Sequence, residues 1–146
     1  MDKETLIENI KNQFPVDIID TSVIKDKRVL AEANSASIIN ISEYLIKTLG
    51  LRFIIASAYH TKAGIEILYH FSDDKSGNIL NIHVVLPIEK PEIESLANMI
   101  PGANWIEREM HEILGITFKN HPEPEKLISE GNWAEGVYPY RKNFKS

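Results

Sequence analysis

The chain contains no cysteine, and this absence excludes several kinds of chemistry at once. Without thiols it forms no disulfide, holds no zinc through thiolates, ligates no iron–sulfur cluster of its own and has no cysteine nucleophile. An excess of positive charge is also absent, since 16 Lys and Arg stand against 21 Asp and Glu, which leaves a net charge of −5. Because phosphate binding needs a basic surface, this balance argues against nucleic acid as a principal partner.

Long apolar runs and nucleotide-binding loops are missing as well. No run approaches the roughly 18 apolar residues that a membrane-spanning helix needs. The first ten residues, MDKETLIENI, are amphipathic and acidic, whereas a signal peptide is basic and then apolar. No GxGxxG or Walker-type loop is present. We therefore expect a soluble, cytoplasmic protein, unless a partner holds it at a membrane.

What is present is a hydrophobic content of 43% in 146 residues, enough for one ordinary domain with a proper core. Residues 2–14 predict a helix capped by Asp2, and the runs 16–24 and 28–33 predict a β-hairpin. Asn34 or Ser35 should open a second helix, which Gly50 ends.

The middle of the chain alternates with the period of a sheet. Three strands are predicted at 52–60, 64–72 and 78–86, joined by short turns into an antiparallel meander. Pro91 fits the first turn of a third helix that runs to Ile100. These elements predict an α+β fold: a mostly antiparallel sheet of about five strands with helices packed on it, followed by an irregular C-terminal arm.

A fourth helix, over 105–114, carries much of the charge of this region. Asn104 is predicted as its N-cap and Glu107 as the second half of a capping box, with Gly115 at its end. The acidic and basic residues are predicted to crowd its solvent side, which by itself is the pattern of a solvated helix face. They are Glu107, Arg108, Glu109, His111 and Glu112.

The chain changes character after Phe118. We divide it into a core domain at 1–118 and an extended arm at 119–146, because prolines and glycines interrupt any period there while aromatic residues persist. Those aromatics must be buried either against the chain's own sheet or against a partner surface, where Trp, Tyr and Arg are favoured anchors. The residues alone leave both options open.

Two catalytic or metal-binding interpretations are weak. His60, His70 and His83 lie on the meander, where His70 should neighbour Asn81 and lie only diagonal to His83, too far for shared metal ligation. A small acid/base hydrolase is an alternative function, based on the carboxylates of the charged helix and His111. Consecutive carboxylates point around a helix and do not converge, so we expect no catalytic residue and no metal or cofactor on this chain.

Several separated motifs resemble the signature of the 30 kDa subunit family of respiratory complex I. They are Glu107-Arg108-Glu109, Gly115-Ile116, Phe118, His121-Pro122, Leu127-Ile128 and Tyr138-Pro139-Tyr140-Arg141-Lys142. At Met110-His111-Glu112 the chain departs from the aromatic-Asp of complex I, and Asn143 replaces the usual Asp. This version is most similar to the subunit of membrane-bound, energy-converting NiFe hydrogenases, with the equivalent subunit of an NADH/quinone-type complex as the alternative.

The resemblance implies a structural, docking role in a membrane-associated electron-transfer oxidoreductase complex. Family members pack against a large subunit, of the NiFe type or at the quinone site, and beside an iron–sulfur subunit, so the NiFe centre and the clusters are expected in those partners. The implied partner interface consists of Glu107, Arg108, Glu109, His111, His121, Pro122, Trp133, Tyr138, Pro139 and Arg141.

Overall fold

The computed structural model describes residues 1–123, so Trp133, Tyr138, Pro139 and Arg141 of the predicted arm lie outside the described residues. Its elements are α1 Lys3–Gln13, β1 Ile18–Lys25, β2 Arg28–Ala33, α2 Ile38–Glu43, β3 Arg52–Thr61, β4 Gly64–Asp73, β5 Asn78–Leu86, β6 Glu92–Glu94, α3 Ala103–Leu114 and β7 Thr117–Lys119. One sheet has the order β1-β2-β5-β4-β3, and β6 and β7 form a second, two-stranded sheet. The predicted α+β class and the five-stranded, mostly antiparallel sheet are confirmed.

The first two helical segments begin at the predicted polar caps. The Asp2 carboxylate accepts from the Thr5 backbone N–H at 2.8 Å, and the Asn34 side chain accepts from the N–H of Ala36 at 3.1 Å. A 3₁₀ turn at Ser35–Ser37 leads into α2, which continues as a π-helical turn at Tyr44–Thr48. The sequence pattern therefore placed this helix correctly, but it did not predict the wider π-helical turn at its end.

The five-stranded sheet joins two locally paired regions by one parallel pairing. β1 and β2 form the predicted antiparallel hairpin, with Ile18 opposite Ala33. β2 then pairs in parallel with β5, so that Arg28 lies opposite Ile79 and Glu32 opposite His83. β3, β4 and β5 are linked by the predicted short turns. The parallel pairing was not predicted, because no turn connects its two strands.

The described residues fall into two compact units. The first contains residues 1–57 and 67–84, and the second contains 58–66 with the described residues from Val85 onward. The first unit buries apolar residues of α1, α2 and the sheet, including Leu6, Ile10, Val29, Ile38, Ile41, Leu45, Ile67, Phe71, Leu80 and Ile82. The second unit buries Ile65, Leu86, Ile93, Leu96, Met110, Leu114, Ile116 and Phe118. Within residues 1–123, no helix is long and apolar enough to cross a membrane.

The third predicted helix, from Pro91 to Ile100, is wrong. Residues 92–94 form β6, which pairs in parallel with β7, and the Thr117 N–H donates to the Pro91 carbonyl at 2.8 Å. Helical geometry is limited to one turn, in which the N–H of Ile100 donates to the Leu96 carbonyl at 2.7 Å. Ile93 and Leu96 of the predicted apolar stripe are buried as expected, but they belong to a strand and a turn and not to a helix.

Candidate functional site

The charged helix α3 begins earlier than predicted and without the predicted cap. Its first residue is Ala103, and its N-cap residue is Gly102, which has no side chain to cap the helix. The Asn104 cap and the Glu107 capping box are therefore wrong. The end of the helix is as predicted, since Gly115 adopts the left-handed conformation (φ 75°) and donates to the His111 carbonyl at 2.9 Å.

The buried face of α3 includes a carboxylate. Ala103, Glu107, Met110 and Leu114 are the buried residues, and they recur at the spacing of one helix face. Glu107 is 1% exposed, which corrects its predicted place on the solvent side. The sequence interpretation failed here because charge was taken as a sign of exposure.

Glu107 is buried together with its hydrogen-bond donors. The Ser95 hydroxyl donates to Glu107 Oε1 at 2.5 Å, and the Leu96 N–H donates to Oε2 at 2.8 Å. Ser95 Oγ in turn accepts from the N–H of Ala97 at 3.0 Å. In these bonds, side chains and not helical carbonyls accept from the N–H groups of Leu96 and Ala97. This explains why the segment 95–97 is a turn held against α3 and not the predicted helix.

Burial and hydrogen bonding act on this carboxyl group in opposite directions. Burial favours the neutral acid, and it raises the pKa of Glu107 to about 7 although the bonds from Ser95 and Leu96 lower it. A carboxyl group that takes up a proton near neutral pH is therefore built into the second unit.

His121, another residue of the predicted partner interface, lies next to Glu107. Its imidazole is fully buried, Nδ1 accepts from the Glu123 N–H at 3.0 Å, and Nε2 lies 3.8 Å from Glu107 Oε1 without a hydrogen bond. Because Nδ1 acts as an acceptor, the hydrogen of the neutral ring is on Nε2. Burial lowers the pKa of His121, which keeps the ring neutral.

Ser95, Glu107 and His121 are the residue types of a nucleophile, an acid and a base, but their arrangement is not catalytic. The Ser95 hydroxyl bonds to the carboxylate and not to the imidazole, whereas an activated nucleophile needs the base as its partner. The three residues are 3%, 1% and 6% exposed, so no substrate reaches them in this conformation. The cluster fastens α3, the 95–97 turn and the segment after β7 to one another.

The opposite side of α3 carries an exposed tryptophan. Trp105 is 68% exposed, and the guanidinium carbon of Arg108 lies 5.6 Å from the centre of its ring. Glu109 is also exposed, and Pro122 is exposed beside the buried His121. His111 is partly exposed, with Nδ1 2.8 Å from the Ile116 carbonyl, which fixes the ring.

The strand histidines form no metal centre in the described part of the chain. His70 Nδ1 hydrogen-bonds Asn81 Oδ1, the neighbour predicted for it, and the Asn81 amide donates to the Val29 carbonyl at 3.2 Å. Among residues 1–123, no group of three or more His, Cys, Asp or Glu side chains is placed to hold a metal ion.

Of the predicted site residues, the structure brings Glu107 and His121 together and leaves Arg108, Glu109 and His111 elsewhere on α3. Sequence reasoning missed Ser95 and Leu96. A weak local signal existed, because a serine often bonds the N–H two residues further on in a turn, as Ser95 does with Ala97.

Comparison with known proteins gives consistent matches over most of the chain. The model of the family described as "Respiratory-chain NADH dehydrogenase, 30 Kd subunit" matches residues 31–146. A subunit of the F(420)H(2) dehydrogenase of Methanosarcina mazei is 31% identical over 148 aligned positions, which cover 99% of this chain and 93% of that protein. A subunit of the NADH-quinone oxidoreductase of Dinoroseobacter shibae is 27% identical over 97% of this chain and 66% of its own length.

Solved structures share the fold at lower sequence identity. A chain in the structure of a membrane-bound sulfane sulfur reductase, an archaeal respiratory membrane complex, aligns with a TM-score of 0.78 at 21% identity, covering 97% of this chain and 85% of that one. A trypsin-resistant fragment (1–134) of Nqo5 aligns with a TM-score of 0.66 at 16% identity, covering 84% and 98% of the two chains.

Proposed function

The chain belongs to the respiratory-chain NADH dehydrogenase 30 kDa subunit family, and we propose from this that it is a non-catalytic docking subunit of a membrane-associated electron-transfer complex. It packs against the large subunit of that complex and beside an iron–sulfur subunit. It binds no cofactor itself, and the metal centres belong to those partners. It is peripheral, on the cytoplasmic side of the membrane, and is held there by other subunits.

The Trp105–Arg108 pair on α3, in which Trp105 is exposed and Arg108 is half-buried, is the observation that carries this proposal. Trp and Arg are the residues most enriched at the energetic centres of protein interfaces. A tryptophan that remains 68% exposed contributes little to the fold of the free chain. On the other side of the same helix, the Glu107 cluster holds α3 in place, so the pair is presented on a rigid element.

The large subunit is of the NiFe type in our proposal, with the quinone-site subunit as the alternative. The Met110-His111-Glu112 variant supports the hydrogenase branch, whereas the relatives named above are subunits of F420H2 and NADH-quinone oxidoreductases. A pull-down from the native membrane fraction, with this chain as bait, separates the two branches. Recovery of a NiFe-type large subunit selects the first, and recovery of a quinone-site subunit selects the second.

Substitutions on α3 test the docking surface itself. Trp105→Ala and Arg108→Ala should each weaken co-purification with the large subunit by about tenfold or more, since interface anchors are commonly worth about 2 kcal/mol or above. Arg141→Ala, on the predicted arm, should have the same effect. The circular dichroism spectrum and melting temperature of the free chain should change little.

Arg52→Ala is the matched control for the arginine variants. Arg52 is exposed and pairs with Asp74 at 2.9 Å in the first unit, so its loss removes a surface ion pair in which no residue of α3 takes part. Normal recovery of the large subunit with both Trp105→Ala and Arg108→Ala would show that this face of α3 is not the contact.

A further inference from the structure

The edge strand β1, in the first unit, leaves a cluster of large apolar side chains in water. β1 is the first strand in the sheet order, and among the described strands it pairs with β2 alone. The exposed side chains are Val16, just before the strand, and Ile19, Val23 and Ile24 within it. Because a folded chain rarely leaves neighbouring apolar side chains exposed, this β1 surface indicates a contact with another molecule.

Two bulges place isoleucines in the β1 surface. The pairing with β2 shifts register at Ile19 and again at Ile24, where β1 has one residue more than β2. The two side chains are 63% and 50% exposed. A bulge leaves its extra residue out of the ladder and re-aims the side chain, and it also makes a strand edge a poor template for another strand. The β1 surface is therefore suited to side-chain contacts and not to the addition of a strand.

Charge is separated along the same hairpin. Asp20 lies opposite Glu32 at the open end, and Lys25 lies opposite Arg28 next to the turn. Like charges directly opposite each other destabilise paired strands. Within residues 1–123, none of these four side chains forms an ion pair, and Asp26 in the turn already pairs with α1 at 3.7 Å. The hairpin therefore has an acidic end and a basic end, with the exposed isoleucines between them.

We propose that the β1 surface binds a second copy of this chain across a two-fold axis near Ser22, with the two β1 strands antiparallel. The order acid, apolar, base is complementary to itself when it is reversed, as a two-fold interface requires. Each acidic end then faces the partner's basic end, and Ile19 of one copy approaches Ile24 of the other. This inference goes beyond the docking role, because it concerns the free chain and uses no residue of α3.

Charge reversal tests the antiparallel arrangement. Sedimentation equilibrium of the full chain should show a reversible dimer, and Asp20→Lys or Lys25→Asp should each raise its dissociation constant by about tenfold or more, because every reversal acts twice across the axis. An equimolar mixture of the two variants should dimerise like the wild type, since each reversed charge then meets an opposite one. Each reversal also removes a like-charge pair within the hairpin, so the melting temperature of the monomer should not fall.

The apolar contribution has a matched control on the other edge of the sheet. Ile24→Ser should weaken the dimer, because it removes an apolar side chain from the centre of the contact. Ile55→Ser, on β3, removes an isoleucine of similar exposure (47%) and should leave the dissociation constant unchanged.

A single introduced thiol reports the position of the axis, because the chain has no cysteine of its own and any disulfide must join two copies. Ser22→Cys should form a linked dimer under mild oxidation far faster than Ser57→Cys, which changes an exposed serine on β3. A wild type that stays monomeric up to about 1 mM would overturn the proposal. So would single reversals without effect, a mixture that does not dimerise, or photo-cross-linking of Ser22→Cys in the membrane fraction to a different protein and not to itself.

Discussion

In the folded chain the carboxyl group of Glu107 binds its proton more tightly than in water, since its pKa is raised to about 7. The hydrogen bonds from Ser95 and Leu96 stabilise the carboxylate. The free energy lost when the charge leaves water is larger than this stabilisation, so the pKa is still raised. The folded chain therefore binds a proton that the unfolded chain has already released between pH 4.5 and about 7. At this position stability decreases as pH rises.

The pH dependence of unfolding tests this sign. The pKa of Glu107 is higher in the folded state, so its contribution is largest below pH 4.5 and is lost as pH rises through about 7. The free energy of unfolding of the wild type, relative to Glu107→Gln, should fall by up to about 3 kcal/mol between about pH 4.5 and about pH 8. Urea denaturation at several pH values gives this difference.

Glu109→Gln is the control for Glu107→Gln, because Glu109 is exposed on the same helix. It should follow the wild type across the whole pH range. A difference between wild type and Glu107→Gln that does not vary with pH would mean that the carboxyl group titrates as it does in water. The His121 contribution has the opposite sign, and it cancels in this comparison to the extent that the substitution leaves the ring unchanged.

The burial of Glu107 and the identity of its donors could not be predicted from the sequence. Glu107 and His121 were both named as site residues, but Glu107 was placed on the solvent side of the helix. Its donors, Ser95 and Leu96, lie in a turn whose existence depends on the same carboxylate. A local pattern cannot reveal a pairing in which each partner requires the other to be in place.

At the scale of elements, β4 begins at a glycine that packs directly on another strand. Gly64 has φ +134°, and a Cβ built on it would lie 2.2 Å from the carbonyl oxygen of Leu86 at the end of β5. Both the backbone conformation and the space exclude a side chain. Gly77, in the turn before β5, has φ +78° and nothing within 4 Å of a built Cβ.

Substitutions at these two glycines should differ in size. Gly64→Ala should cost about 3 kcal/mol or more of unfolding free energy, because strain and a backbone clash coincide. Gly77→Ala meets only the left-handed backbone penalty and should cost about 1 kcal/mol. Thermal or urea unfolding of both variants provides the measurement, and equal costs would contradict the close approach of Gly64 to Leu86.

The elements themselves were largely predictable wherever a turn or cap fixed them locally. The hairpin 18–33 and the alternation Ile65, Ile67, Tyr69, Phe71 were confirmed because each depends on neighbours in sequence. The helix from Pro91 failed because β6 has only three residues and its partner, β7, lies 25 positions further on. Short strands paired over such distances have no period to detect.

At the scale of the whole molecule, the fold is retained at low sequence identity, as the TM-score of 0.78 at 21% identity shows. Many residues can therefore change while the arrangement of elements stays, so the proposed anchor Trp105 has to be tested by its own exposure in the free and the bound chain. The chain has two tryptophans, so Trp133→Phe leaves Trp105 as a single reporter.

Fluorine NMR of this variant, labelled with 5-fluorotryptophan, follows the exposure of Trp105 without interference from partner tryptophans. In the free chain its resonance should shift between H₂O and D₂O, as expected for a side chain that is 68% exposed. In complex with the large subunit that solvent shift should be strongly reduced, because interface anchors are desolvated. An unchanged solvent shift in the complex would place the contact away from Trp105.

The parallel pairing between β2 and β5 also constrains how the chain folds. It joins Arg28 to Ile79, 51 positions apart, whereas the hairpin and the meander on either side close over short turns. Because a long loop must be ordered before such a pairing yields contacts, both local regions should form early and the centre of the sheet last. During synthesis, the edge of β2 that pairs with β5 therefore stays unpaired until more than half of the chain has been made.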